Sequence, residues 1–74
     1  MFKFQRNLIL PLFLQRQMTI EKLARTAGVN PKTAFRAVNG LPITSNVVDK
    51  IARALDFDAI NFLENPAQVK DLIL

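Results

Sequence analysis

Helix start and stop signals crowd this chain so closely that any helix it forms must be short. Thr19 and Gly28 bracket one stretch, Asn30 and Gly40 the next, and Ser45 opens a third that ends near Asp56. A side-chain oxygen at the start can accept from first-turn amides, and glycine past the end tolerates a left-handed backbone. The segment "AGVNPKTAFRAVNG", residues 27–40, shows both marks together. Asn30 can cap, Pro31 fits the first turn, and Gly40 sits beyond the last. About two and a half turns fit between them. A helix that short is unstable alone in water, so packing against neighbours must hold it.

The remaining punctuation continues this pattern. A first helix is expected from about Phe4 to Gln17, with Ile9, Leu12 and Phe13 facing the core and Pro11 kinking or splitting it. Thr19 caps a second, Ile20 to Ala27, with Glu21 near its positive end and Leu23, Ala24 and Ala27 at helical spacing. The third buries Ala34, Ala37 and Val38, and the fourth, capped by Ser45, carries the stripe Val48, Ile51, Ala52 and Leu55. Asp58 caps a single-turn fifth helix through Phe62 and Leu63, and Asn65-Pro66 opens a tail helix with Val69, Leu72 and Ile73 on its apolar side. No credible strand pair is expected. The predicted fold is all-α, a compact bundle of five to six helices in one domain, 1–74, with a helix-turn-helix at 19–40 and a C-terminal helix at 66–74.

Seventy-four residues lie near the lower limit for a self-supporting core, and the 50% hydrophobic content is generous for that size. There is no cysteine, so neither a disulfide frame nor a thiolate metal site exists, and a reducing cytoplasm is the natural home. Histidine is also absent, which removes the usual general base and the commonest metal ligand. Asp56 and Asp58 read as loop and cap. Neither an enzyme, a cofactor nor a small-molecule ligand is expected. The amino terminus imitates a signal peptide, basic residues and then Leu8-Ile9-Leu10-Pro11-Leu12-Phe13-Leu14, but Gln15-Arg16-Gln17 follows without a small-residue cleavage site. That run is too short to span a bilayer and reads as a buried helix; no membrane partner is expected.

Charge is unevenly distributed. Residues 1–45 hold seven basic side chains against Glu21 alone, an excess of six positive charges, whereas residues 46–74 hold three basic against five acidic. That asymmetry suits one surface for a polyanion, although ordinary solvated helix faces would explain it equally.

Two short helices joined by a turn around one glycine form the helix-turn-helix signature. The logic is steric: Ala24 is small where the third helix crosses, Gly28 permits the reversal, and Val29 fills the corner. Such a pair holds one helix proud enough to enter a major groove roughly 12 Å wide. Here "MTIEKLARTAGVNPKTAFRAVNG" followed by "VVDKIARALDFDAINFL" resembles the lambda-repressor/Cro-like (XRE-type) helix-turn-helix family from about Gln5 to Leu63. Leu23-Ala24, Ala27-Gly28-Val29, Asn39-Gly40 and Ile51-Ala52-Arg53-Ala54-Leu55 carry the likeness. It implies a cytoplasmic regulator of phage, plasmid or bacterial type that binds double-stranded operator DNA as a dimer.

Carried over by position, the resemblance makes Lys32, Thr33 and Arg36 the groove-facing readers, with helix 31–39 as the reading helix. Arg36 would pair with a guanine and Lys32 with a guanine or phosphate. Asn30 would meet a phosphate, though capping alone accounts for it, and Asn39 would lie along the DNA backbone. A solvated helix face is the plain alternative for Lys32 and Arg36; Thr33 stays open.

Three positions depart from the family pattern. Ile20 stands where a polar residue commonly braces DNA, Pro31 where a polar reader opens the helix, and Phe35 where a small or polar residue faces the groove. Phe35 has three readings: a core edge, an anchor for a protein partner, or a contact to a thymine methyl. The sites of a family ion pair are taken by Phe13 and Val38, a swap that is often neutral or stabilising. Leu8, Leu10 and Leu14 cannot all point inward alongside Ile9, Leu12 and Phe13, and Ile60, Leu72 and Leu74 are similarly spare. They form either a protein interface or a surface covered by the tail helix. Ile20, Pro31, Phe35, Leu10 and Leu14 therefore also suit a second class of function. That class is a phage anti-repressor or modulator that binds a repressor protein through the same fold, with an antitoxin as a third option.

Overall fold

In the computed structural model, which describes residues 1–64, four α-helices follow in chain order: α1 (Arg6–Gln15), α2 (Ile20–Ala27), α3 (Pro31–Val38) and α4 (Ser45–Leu55). A single 3-10 turn, Ala59–Asn61, follows. The five to six helices expected thus reduce, among the described residues, to four and a turn. The expected helix at 66–74 lies outside the described residues.

Each short helix forms where its caps dictate. Thr19 Oγ1 accepts from the Lys22 amide at 3.1 Å, and Asn30 Oδ1 accepts from the Thr33 amide at 2.8 Å. Gly28 and Gly40 leave α2 and α3 with φ of +75° and +71°. Residue 39, expected inside the third helix, follows its last turn, Val38. The fourth helix corrects the expectation by one residue. Thr44, not Ser45, is the cap, with its hydroxyl accepting from the Val47 amide at 3.4 Å, and Ser45 is the first helical residue. Asp58 caps the 3-10 turn as expected, accepting from the Ile60 amide at 3.2 Å.

α1 is shorter than expected at both ends, since Gln5 is extended and Gln17 adopts φ +56°. Pro11 neither ends nor splits it. The carbonyl that Pro11 cannot serve belongs to Asn7, and both residues are exposed, so water can take the vacant acceptor.

The first five residues form an extended strap, which overturns the helical start at Phe4; the strap makes isolated bridges, and no strand forms among the described residues. Phe2 and Ile43 exchange two backbone hydrogen bonds of 2.8 Å. An antiparallel bridge joins Phe4 to Leu63, with Gln5 N–H donating to Phe62 O and Glu64 N–H to Lys3 O, both at 2.7 Å. The strap buries Phe4 completely, edge-on to Phe57 at 5.4 Å between ring centroids, and Phe57 in turn lies 4.4 Å from Phe62.

The core draws on all four helices and the strap. Ile9 and Phe13 of α1, Leu23 and Ala24 of α2, Ala34, Ala37 and Val38 of α3, and Val48, Ile51 and Leu55 of α4 form one buried cluster with Phe4, Ile43 and Leu63. Phe13 and Val38, the apolar replacements for the family's ion pair, both belong to it. No charged or polar side chain is buried among the described residues.

Candidate nucleic-acid interface

α3 is about 12 Å long. Its inner face, Ala34, Ala37 and Val38, is buried, and two alanines let the helix lie close on its neighbours. Ala24 is buried where α2 packs beneath α3, while Val29 is half-buried at the corner. Gly28 serves backbone geometry alone, since a Cβ there would meet nothing within 4 Å. The outer face carries Pro31, Lys32 and Phe35, all exposed. Phe35 is 52% exposed, so about half of the residue is open to a partner.

The other proposed contacts are less free. Thr33 and Arg36 are half-buried, and they border an open depression of about 150 Å³ that continues over Pro42, Thr44 and Val47. Arg36 Nε and Nη2 donate to the Pro42 carbonyl at 3.2 and 2.9 Å. That clasp fastens the guanidinium to the loop after α3 and leaves its Nη1 side for another partner. The Asn39 side chain closes the helix end, its Nδ2 donating to Phe35 O at 2.9 Å. Asn30, exposed, is occupied as the cap.

Arg6, which sequence reasoning had not singled out, joins this surface. Its Nε donates to Asn39 Oδ1 at 3.4 Å, placing a cation at the carboxyl end of α3. Only its positive charge hinted at this in the sequence, because the neighbourhood exists only once the strap turns α1 toward Gly40. A Cβ on Gly40 would lie 3.1 Å from Arg6 Cβ. Between Glu21 and Asp49 the chain has no carboxylate, whereas it carries Lys22, Arg25, Lys32 and Arg36. A phosphate backbone approaching α3 meets cations with no acidic residue on the same helix.

The residues proposed for a protein interface separate. Ile20 and Leu10 are half-buried against the core, so most of neither side chain is available. Leu14 remains 63% exposed, and Leu8 and Ile60 are also on the surface. A second open groove, about 390 Å³, runs between α2 and α4 beside the Asp49–Arg53 ion pair of 3.2 Å. Both partners of that pair are exposed, so it adds little stability. Among the described residues no cluster of three or more metal-capable side chains occurs, and no helix is long and apolar enough to cross a membrane.

The family model described as the Cro/C1-type HTH DNA-binding domain covers residues 11–62, spanning all of α2, α3 and α4. No curated protein and no solved structure matches the chain.

Proposed function

As the chain belongs to the Cro/C1-type helix-turn-helix family of DNA-binding domains, we propose that it is a transcription regulator that reads operator DNA by lodging α3 in the major groove. The observation that carries this reading is the division of α3 into two faces. Ala34, Ala37 and Val38 fix one in the core, and Pro31, Lys32 and Phe35 project from the other within a span free of carboxylates. Lys32 contacts a phosphate or guanine, and Arg36, steadied by Pro42, offers its remaining Nη1 side to a guanine. Thr33, Asn30 and Asn39 line the approach to the DNA backbone. One helix of this size makes few contacts, so two copies act together on half-sites about 34 Å apart. The cytoplasm is the compartment that this function requires.

Anisotropy titration against the intergenic DNA flanking the gene tests the reading. Affinity should fall steeply as salt rises, because bound cations release condensed counterions. Arg36→Ala should cost about 1–3 kcal/mol on the preferred site and relax discrimination there. Binding that is indifferent to salt and to Arg36 would refute it.

The apolar exposure supports a second reading, an anti-repressor or modulator that binds a repressor's DNA-binding domain. Leu14 and Phe35 are large exposed anchors, Pro31 offers no donor, and Ile20 is half-buried where it cannot brace DNA. In a gel shift with the neighbouring repressor present, that reading requires this chain to strip repressor from DNA while binding none itself.

A further inference from the structure

We infer that Phe35 is a specificity-determining residue of α3 that recognises the 5-methyl group of thymine; this rests on the operator-reading function proposed above. Most polar side chains on and around α3 are already engaged within the molecule. Asn30 caps the Thr33 amide, Asn39 closes on the Phe35 carbonyl, and Arg36 is clasped by Pro42. Pro31 has no donor. Phe35 instead stands out from the middle of the helix, 52% exposed, one turn beyond Lys32.

Its mounting is rigid. The Phe35 carbonyl accepts from both the Asn39 amide at 3.2 Å and Asn39 Nδ2 at 2.9 Å, so the backbone beneath the ring is held twice. With only two side-chain torsions, an aromatic ring on a fixed backbone loses little freedom when it docks.

Charge and apolarity together select the target. Lys32 stands one turn before Phe35 and Arg36 follows it in the chain, and no carboxylate lies between Glu21 and Asp49, which favours a polyanionic partner. Within the major groove of a duplex, the one apolar group on the base edges is the thymine methyl. A ring among cations therefore discriminates A·T from G·C pairs by contact rather than by hydrogen bonding.

The test begins with selection from a randomised synthetic duplex library by the full chain and by Phe35→Ala. Phe35 is exposed, so the variant should fold, and circular dichroism and melting would verify this; Phe35→Leu serves as an apolar control. In the sequence enriched by the unaltered chain, each thymine is then replaced by deoxyuridine, which removes only the methyl group. At one position the replacement should weaken binding about fourfold, the worth of one buried carbon. It should have no effect on Phe35→Ala, and Phe35→Leu should retain part of the preference. Equal losses for the unaltered chain and Phe35→Ala would overturn the inference while leaving operator reading intact, as would identical enriched sequences for both. If the unaltered chain enriches no sequence, operator reading itself fails, and the inference with it.

Discussion

Two glycines with nearly the same backbone do different work. Gly28 needs its left-handed conformation and nothing else, because space surrounds the missing side chain. Gly40 needs both, since a Cβ would sit 3.0 Å from the Phe4 carbonyl oxygen, a backbone atom that the strap would have to shift. Gly28→Ala should therefore cost about 1–2 kcal/mol, the ordinary left-handed penalty. Gly40→Ala should cost clearly more, because the clash adds to that strain. Urea unfolding of the two variants measures the difference, and equal losses would mean that the strap yields freely. Arg36 shows a similar double duty: the same guanidinium that braces the loop at Pro42 is a candidate base reader.

At the level of elements, cap chemistry and apolar periodicity carried most of the fold. The limits of α2, the start of α3 and the buried stripe of α4 were all legible, because each follows from a few neighbouring residues. The fourth cap was misplaced by one position since Thr44 and Ser45 are both competent. Thr44→Ala should cost about 1 kcal/mol and Ser45→Ala less than 0.5 kcal/mol in thermal or chemical unfolding. The strap was not legible. Phe2-Lys3-Phe4 does alternate, but three residues cannot establish a period, and the partners Ile43 and Leu63 are remote in sequence. Phe4→Ala should remove about 3–5 kcal/mol, the loss expected for a fully buried aromatic. The result should be read by calorimetry, with hydrogen exchange at Phe2 and Ile43 reporting the same opening. The candidate interface was legible as a face of α3 but not in its internal bonds. Clasps such as Arg36 to Pro42 depend on where a loop carbonyl points, which no side-chain pattern records.

Over the whole molecule, the buried side chains that hold the fold and the proposed reading residues Lys32 and Phe35 are separate sets. The buried cluster takes its members from all four helices and the strap, yet from α3 it takes only Ala34, Ala37 and Val38. Lys32 and Phe35 lie outside it and are exposed. A library randomised at these two positions should melt within a few degrees of the parent, since surface substitutions usually change stability by less than about 0.5 kcal/mol. Its members should nonetheless differ widely in the duplexes they select. A broad spread of melting temperatures would show that the two sets are coupled. Where they are separate, and if α3 reads operators as proposed, lineages carrying this scaffold can drift to new genomic addresses by single nucleotide changes, with no compensating repair in the interior.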